Sequence, residues 1–382
     1  MKKKKLLLML KLPPPVTGVT KMCCSVLENG KLFKEFNTKV IGLSYAKDVK
    51  STGGLTPAKL MKLFLNIAKT KFTVLTFWPD LVYFVPSLTG SAFLRDFLFI
   101  LILKFFRRNI IFHLHGTGLK ETSQKSKFYK SLYLFAFNNS EIITLSEKLR
   151  EDLEFLSPNK IHILPNGIAP LPTSLATAPP APFLATAPPA PLLVKVGGEV
   201  LQNLLFVSNF YDYKGIPELI ELLAEVHKRG HPFTCKIAGE ENYITATDLQ
   251  KLIDANGLTE KVKYVGSVKG DNLLALYEQS DIFIYPTKKD AMPLVILEAM
   301  RAGLAILSNP IGAITDMIGY NPWTLPTPEN LATLLTNPDL ILKLGEQNRK
   351  TFEEKFTIEK FYSGLMQILI NATNEEGMKY EV

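Results

Sequence analysis

Residues 280–318, SDIFIYPTKKDAMPLVILEAMRAGLAILSNPIGAITDMI, predict a strand, a polar turn, a helix and a second strand in direct succession. Pro293 stands in the first turn of the predicted helix, where a residue without a backbone amide is well tolerated. A helix that begins at the carboxyl end of a strand directs its first amides outward, and phosphate is the anion that such amides usually bind. We therefore expect a β-α-β unit with an anion-binding loop.

Two carboxylates flank the start of this helix. Asp290 precedes the helix, and Glu298 lies further along it. Gly303 is placed to cap the carboxyl end, because glycine readily adopts the left-handed conformation found there. The apolar residues 304–307 then form the second strand. The segment thus combines a predicted anion site with two acidic side chains.

The spacing of these acids resembles the acidic-x7-Glu signature of retaining GT-B glycosyltransferases, especially glycosyltransferase family 4. Asp290 stands where the family usually has Glu, and Glu298 is the second acid. Residues 204–219, LLFVSNFYDYKGIPEL, resemble the family's strand, loop and Lys-Gly element, with Lys214 at the place of the phosphate-contacting lysine and Gly215 directly after it. Asn209 stands close to where the family commonly has an arginine, and its amide carries no charge to neutralise a diphosphate.

Further segments resemble parts of the same family, in the same order along the chain. Residues 6–18 (LLLMLKLPPPVTG) resemble its first strand and glycine-bearing loop, and residues 110–116 (IIFHLHG) its strand with a His-x-His-Gly turn. Residues 142–153 resemble its strand, serine and helix, and residues 160–168 (KIHILPNGI) the end of its N-terminal domain. The resemblance implies an α/β chain with the GT-B fold, in which two Rossmann-like domains have parallel sheets facing a central cleft.

The resemblance also implies roles in donor binding. Lys214 would offset the diphosphate charge as the leaving group departs, a role that requires no metal. Glu298 would hydrogen-bond the donor's ribose, and Asp290 would orient its sugar hydroxyls. The other implied donor-binding positions are Asn209, Met292, Pro293 and Leu294. Structural interpretations stay open for the charged residues: a surface lysine at Lys214, a helix N-cap at Asp290 and a solvated carboxylate at Glu298.

The first domain contributes two further candidates. His115 would contact the donor sugar or the reacting centre and joins Asp290 and Glu298 as a catalytic candidate, although a histidine at a strand end is often structural. Gly18 would let an acceptor-side loop approach a ligand closely, or serve as an ordinary turn residue. His113 and His115 share one face of a strand but lack a nearby carboxylate or cysteine to complete a metal site. We therefore expect no metal and no cofactor.

Apolar strands alternate with helical stretches in both halves of the chain, which predicts parallel sheets covered by helices. Strands are predicted at residues 6–12, 38–43, 74–77, 110–114, 142–145 and 161–164, and at 204–207, 234–238, 262–265, 282–285 and 304–307. We expect an acceptor-side domain at residues 1–168, a Pro/Ala-rich linker at 169–200, a nucleotide-sugar-binding domain at 201–355, and a C-terminal helix that packs back, with a tail, at 356–382. In the linker, ATAPPAPFL (176–184) repeats as ATAPPAPLL (185–193), which favours an extended spacer.

Length and composition fit a two-domain globular chain. A chain of 382 residues is too long for one ordinary core, and a hydrophobic content of 47% is ample for folding. The net charge of +8 suits nucleotide diphosphates, nucleic acid or an anionic membrane, and charge alone does not choose among them. The 3 cysteines form no disulfide framework, which indicates a reducing compartment and a cytoplasmic protein.

Two apolar runs bear on membrane contact. The N-terminal run MKKKKLLLMLKLPPP is short, is broken by Lys11 and lacks a small-residue cleavage site, which favours a first strand over a secretion signal. The run at residues 97–106 is far shorter than the ~20 residues that span a bilayer. Residues 97–108 could instead rest on an anionic membrane and present a lipid-linked acceptor, or form an ordinary core helix.

These features and the resemblance predict a retaining glycosyltransferase that moves a sugar from a nucleotide-diphosphate sugar to a saccharide or lipid-linked acceptor, as in cell-surface polysaccharide or glycolipid synthesis. A nucleotide-sugar epimerase or phosphorylase of the same fold is an enzymatic alternative. Asn209 and the short acid Asp290 suggest another, a sugar-nucleotide-binding or scaffold protein with impaired catalysis. Nucleic-acid binding ranks last, because the sequence contains no recognised module for it.

Overall fold

The computed structural model of the chain describes residues 3–45, 56–171, 195–196, 199–319 and 321–374. The chain divides into two compact units. The first comprises Met1–Gly167 together with Ile358–Val382, and the second comprises Ile168–Thr357. The predicted Pro/Ala-rich repeat at residues 176–193 lies outside the described residues.

The first unit contains a six-stranded parallel sheet with the strand order β2-β1-β3-β4-β5-β6. Its strands are β1 (Lys5–Lys11), β2 (Asn37–Leu43), β3 (Leu81–Phe84), β4 (Ile110–His113), β5 (Glu141–Thr144) and β6 (Lys160–Ile163). Its helices are α1 (Gly18–Glu28), α2 (Gly30–Glu35), α3 (Pro57–Phe77), α4 (Gly90–Phe105), α5 (Leu119–Lys125), α6 (Lys127–Phe137) and, from the end of the chain, α14 (Ile358–Asn374), with a 3-10 turn at Lys148–Leu153. The five central residues of β1 are fully buried, as expected for an inner strand of a parallel sheet covered on both faces.

The second unit contains a five-stranded parallel sheet with the order β11-β10-β9-β12-β13 and a two-stranded antiparallel pair, β7 with β8. The strands are β7 (Lys195–Val196), β8 (Glu199–Val200), β9 (Gln202–Val207), β10 (Phe233–Ala238), β11 (Val262–Tyr264), β12 (Ile282–Tyr285) and β13 (Ala305–Ser308). The helices are α7 (Ile216–Lys228), α8 (Ala246–Ala255), α9 (Gly270–Glu278), α10 (Leu294–Ala302), α11 (Ile314–Ile318), α12 (Pro328–Thr336) and α13 (Pro338–Lys355), with 3-10 turns at Asp212–Lys214 and Pro322–Thr324.

The strand order of the second sheet creates a crevice at the carboxyl ends of β9 and β12. The chain leaves β9 towards β10 and β11, and later returns to the other side of β9 as β12. β9 and β12 pair directly, with Ile282 opposite Leu204. Two neighbouring strands whose connections run in opposite directions form a topological switch point, and ligands of open α/β sheets bind outside the carboxyl ends of such strands.

The predicted strand at residues 74–77 is wrong, because these residues form the last turn of α3. Val74 and Phe77 are both buried, and residues three apart share a face of a helix but point to opposite faces of a strand. Thr56 caps the start of α3, and Trp78 ends it in the left-handed conformation. The third strand of the first sheet is β3, just after this helix, and the other predicted strands lie within two residues of observed ones.

The apolar run at residues 97–106 lies almost wholly in α4. Phe99, Ile100 and Leu103 are buried in the core of the first unit, whereas Phe105 is 81% exposed. The core-helix interpretation of this run is therefore correct for its inner face. None of the described helices is long and apolar enough to cross a bilayer.

Candidate functional site

The loops that follow β9 and β12 meet at the switch point of the second sheet. Gly215 makes this approach possible, since its φ is +82° and an added Cβ would lie only 2.2 Å from the carbonyl oxygen of Pro286. The backbone amide of Lys288 donates to the carbonyl of Tyr213 at 2.8 Å, which ties the two loops together. A side chain at position 215 would push them apart.

Lys214, Tyr285 and Asp290 form a closed triangle of polar contacts in this crevice. The Lys214 ammonium donates to Oδ2 of Asp290 at 2.5 Å and to the Tyr285 hydroxyl at 2.8 Å. The Tyr285 hydroxyl in turn donates to the same Asp290 oxygen at 2.7 Å. The side chains of Lys214 and Asp290 are 13% and 20% exposed, so the pair is largely withdrawn from solvent without being sealed. The structure thus brings two of the predicted site residues into direct contact.

Aromatic rings surround the Lys214 ammonium. It lies 5.2 Å from the ring centre of Tyr213 and 5.4 Å from that of Tyr285, within the range of cation–π attraction. Burial, followed by the charge of Asp290, raises the pKa of Tyr285 well above its ordinary value. Burial also raises the pKa of Tyr213 to about 12, with smaller contributions from Tyr211 and Asp290. Both phenols therefore stay protonated at neutral pH, and Tyr285 acts as a hydrogen-bond donor to Asp290.

Helix α10 begins directly beyond this triangle. Pro293 is its N-cap, one position before the predicted first turn, and among the described residues no side chain caps the helix start. Asp290 lies outside the cap and binds Lys214 and Tyr285, so its interpretation as the helix N-cap is wrong. Met292 and Leu294 on either side of Pro293 are buried. At the far end, Gly303 is the left-handed C-cap that the sequence predicts.

The loop after β13 supports the backbone at Asp290. Gly312 has a φ of +56°, and an added Cβ would lie 2.2 Å from the carbonyl oxygen of Asp290. The amide of Ala313 donates to the carbonyl of Ala291 at 2.7 Å. A third loop therefore packs against the backbone at Asp290 and Ala291, and Gly312 is required for that close approach.

Glu298 lies on α10 and is held by a tyrosine of the neighbouring helix. The hydroxyl of Tyr277, on α9, donates to Oε2 of Glu298 at 2.9 Å. Burial raises the pKa of Tyr277 well above its ordinary value, and the charge of Glu298 adds to the effect. Glu298 is partly buried and oriented by this phenol, so the solvated-carboxylate interpretation does not describe it.

Asn209 links two loops instead of supplying charge. Its side-chain oxygen accepts a hydrogen bond of 3.4 Å from the amide of Glu240, which lies after β10. Its carbonyl accepts a second, of 2.8 Å, from the amide of Tyr211. The carboxamide thus contributes to loop geometry on the β10 side of the crevice.

His115 belongs to the first unit, where it packs beside His113. The two ring centres lie 4.0 Å apart, which confirms that both side chains share one face. Burial is the main cause, and the positive charge of Lys11 the second, of a lowered pKa of His115 of about 3, and a hydrogen bond with Asn166 opposes this shift. Burial likewise lowers the pKa of His113 well below its ordinary value. Both imidazoles are therefore neutral at neutral pH.

Gly18 also belongs to the first unit, but it is not a loop residue. It is the first residue of α1. Thr17 is the N-cap, and its side-chain hydroxyl accepts a hydrogen bond from the amide of Thr20. The placement of Gly18 within the acceptor-side loop is therefore wrong by one position, because the capping box already starts the helix at Gly18. The loop ends at Thr17.

Sequence reasoning missed Tyr285, Tyr277 and Gly312. Tyr285 is the last residue of the strand predicted at residues 282–285, although a hydroxyl at a strand end beside a polar turn could have marked it. Tyr277 lies on a helix whose partner could not be known from the sequence. Gly312 follows an Asn-Pro turn signal, but the sequence does not show which backbone it approaches.

Comparisons with known proteins agree with this geometry. Residues 201–351 match the family model described as Glycosyl transferases group 1. An uncharacterized glycosyltransferase of Methanocaldococcus jannaschii is 27% identical over 207 residues, covering 52% of this chain and 51% of that protein. The N-acetyl-alpha-D-glucosaminyl L-malate synthase of Bacillus anthracis is 24% identical over 168 residues, covering 42% of this chain and 43% of that protein. The chain thus spans about half the length, or less, of these relatives.

Similarity to solved structures covers both units. The Anabaena protein HepE, solved in complex with UDP and glucose, has a TM-score of 0.66 and 16% identity, over 96% of this chain and 100% of that chain. At this identity the likeness establishes the fold. Residues 201–351 are thus similar to group 1 glycosyltransferases, and the two parallel-sheet units of the chain have the GT-B fold.

Proposed function

We propose that this protein is a retaining glycosyltransferase that moves a sugar from a nucleotide-diphosphate sugar to a saccharide or lipid-linked acceptor. The contact between Lys214 and Asp290 at the switch point carries the proposal. A cation suits the donor's diphosphate, a carboxylate suits its sugar hydroxyls, and the start of α10 offers backbone amides beside them. The family of residues 201–351 supports the same activity.

Donor binding would rearrange this contact. The diphosphate oxygens compete with Asp290 for the Lys214 ammonium, because both are anionic acceptors. Asp290 then becomes available to the hydroxyls of the sugar, while the Tyr285 hydroxyl can continue to orient it. An internal ion pair is thereby exchanged for two contacts to the donor.

The same groups would act during bond breaking. As the bond between the anomeric carbon and the diphosphate oxygen lengthens, negative charge accumulates on the diphosphate. Lys214 and the amides of α10 stabilise that charge, which lowers the barrier more than it strengthens ground-state binding. Glu298, oriented by Tyr277, would accept a hydrogen bond from a hydroxyl of the ribose. His115 is neutral at working pH and would offer a hydrogen bond to the sugar without adding charge.

A UDP-sugar is the donor to test first, because HepE was solved with UDP and glucose. We propose a cytoplasmic protein that acts in cell-surface polysaccharide or glycolipid synthesis, with peripheral contact to the membrane. A saccharide or a lipid-linked saccharide is accordingly the acceptor class to supply.

The proposal is tested by measuring thermal stability against UDP, GDP, ADP and their sugar conjugates, followed by release of nucleoside diphosphate with acceptors present. We expect nucleotides with one of the three bases to stabilise the protein, since a ligand that binds only the native state raises the stability of that state. Lys214→Ala and Glu298→Ala should abolish that shift, and Lys251→Ala, at an exposed position on α8, should keep it. No shift with any nucleotide at millimolar concentration would remove the assignment.

Asn209 favours a second candidate, a nucleotide-sugar-binding protein with impaired transfer. Its carboxamide binds the Glu240 amide and brings no positive charge to a diphosphate. The same experiment separates the two functions. Tight nucleotide binding without release from any sugar conjugate would favour the binding protein, and acceptor-dependent release would exclude it.

A further inference from the structure

Helix α3 of the first unit presents an apolar face to solvent. Six of its large apolar side chains are each between 51% and 67% exposed: Leu60, Met61, Phe64, Leu65, Phe72 and Leu75. With 3.6 residues per turn, they fall within a single arc of about 140° around the helix axis. The opposite side, which includes Thr70, Thr73, Val74 and Phe77, is buried. The more apolar side of this helix therefore faces outward, contrary to the usual pattern of a surface helix.

Lysines accompany this outer face. Lys62 and Lys69 lie along one border and Lys71 near the other, and all three are exposed. The sequence of α3, PAKLMKLFLNIAKTKFTVLTF, contains no acidic residue. The outer face of α3, defined by the six apolar side chains and these three lysines, is thus apolar in its centre and positive at its borders.

The neighbouring helices continue the same character. α4, which packs against α3, exposes Leu98, Leu101 and Phe105, and α6 exposes Phe128 and Phe135. Asp96 is the one acid in the sequences of α4 and α6, and it is fully buried against Arg95. Just past α3, the exposed ring of Trp78 lies 3.9 Å from the Arg108 guanidinium. Apolar and basic side chains therefore extend beyond α3 itself.

We propose that the outer face of α3 docks on the surface of an anionic lipid bilayer. Its apolar side chains enter the boundary between headgroups and acyl chains, and Lys62, Lys69 and Lys71 lie against the lipid phosphates. A helix in this position lies along the membrane plane and does not cross it. The contact surface centres on α3. In the stretch at residues 97–108 that the sequence suggests, the inner face of α4 is committed to the core, and only its outer side chains adjoin this surface.

Charge favours lipid over a second copy of this chain. Self-association through this face would bring the lysines of one copy towards those of the other, with no acid on either α3 to pair with them. An anionic bilayer matches both features of the face at once, since it offers an apolar layer beneath a negative surface. The proposal does not depend on the donor site, which belongs to the second unit.

The test is flotation of the full chain with vesicles of phosphatidylcholine alone, or with roughly one third phosphatidylglycerol. We expect binding to the anionic vesicles that weakens as salt is added. Phe64→Ser with Phe72→Ser should reduce the bound fraction at least about tenfold, because two large apolar side chains no longer leave water. Lys62→Gln with Lys69→Gln and Lys71→Gln should remove the preference for anionic lipid.

Matched controls come from exposed positions of the second unit. Tyr243→Ser with Leu342→Ser, and Lys228→Gln with Lys251→Gln and Lys343→Gln, alter similar side chains elsewhere and should leave flotation unchanged. Circular dichroism melting of every variant establishes that it is folded. No flotation of the wild type, or equal loss with the control sets, would overturn the proposal. A dimer in sedimentation that Phe64→Ser with Phe72→Ser converts to monomer would assign the face to a second copy instead.

Discussion

The ammonium of Lys214 lies 2.5 Å from Oδ2 of Asp290, although 76 positions separate the two residues in the chain. Each lies in the loop that follows one strand of the pair that forms the switch point of the second sheet. The fold thus places a cation and an anion in one crevice, where each limits the other's availability to a ligand.

Replacing Asp290 by Asn should strengthen nucleotide binding and impair sugar transfer. Asn keeps the shape of the side chain but no longer competes with a diphosphate for Lys214. We expect UDP to bind several-fold more tightly, and transfer to fall by roughly a hundredfold because the sugar hydroxyls lose a charged acceptor. Titration calorimetry with UDP and an assay of transferred sugar measure the two effects. Weaker UDP binding by the Asn variant would contradict the competition.

Tyr285→Phe should lower the rate of transfer more than the affinity for the donor. The substitution removes the hydroxyl that contacts both Lys214 and Asp290, and should reduce the free energy of unfolding by about 1 kcal/mol. Tyr264→Phe is the matched control, because its partly buried hydroxyl donates to the Gly239 carbonyl at 2.9 Å. We expect a similar loss of stability from the control without loss of kcat. Equal kinetics for the two variants would show that Tyr285 has only a structural role.

Gly215→Ala should destabilise the second unit and abolish donor binding. Gly215 has a φ of +82°, and the new Cβ would meet the Pro286 carbonyl at 2.2 Å. Two causes contribute, the strain of a positive φ and the clash of the new Cβ. Gly230→Ala separates them, since Gly230 has a φ of +86° but no atom within 4 Å of an added Cβ. The control should cost about 1 kcal/mol of unfolding free energy, from backbone strain alone, and Gly215→Ala clearly more. Urea denaturation and UDP titration compare the variants, and equal losses would mean that the loops tolerate the clash.

Acid should destabilise the first unit through its buried histidines. The pKa of His115 is about 3 in the folded protein, against an ordinary value of 6.5. Between these values the unfolded chain binds a proton that the folded chain does not, so the free energy of unfolding falls as the pH is lowered from about 6.5 towards about 3. The depressed pKa of His113 acts in the same direction.

His115→Gln should flatten this dependence. Urea denaturation at pH 7 and pH 5, monitored by a probe in the first unit, measures how the free energy of unfolding depends on pH in the wild type and the variant. An unchanged slope in the variant would show that His115 takes up its proton readily in the folded state.

The sequence was sufficient for the elements around the site and insufficient for its contacts. β12 was predicted at its observed bounds, because four apolar residues end at a proline and a polar turn. The Lys214 contact to Tyr285 joins residues 71 positions apart, and no local pattern encodes such a pairing. At residues 74–77 the sequence predicted the wrong element. Thr, Val and Phe favour a strand by local propensity, but the burial of both Val74 and Phe77 on one face requires a helix. Periodicity also could not show that the apolar face of α3 is the uncovered one.

The first unit is completed by α14, 17 residues that come after the whole second unit in the chain. Phe361, Leu365 and Leu369 of this helix are buried, and Phe361 stacks on His113 with ring centres 6.3 Å apart. During translation the first unit therefore emerges from the ribosome before its final helix exists. At roughly 5–20 residues per second, the surface meant for α14 waits on the order of 10–40 seconds while the second unit is made. Nascent chains of this protein should accordingly need protection from aggregation at that surface until α14 has been made.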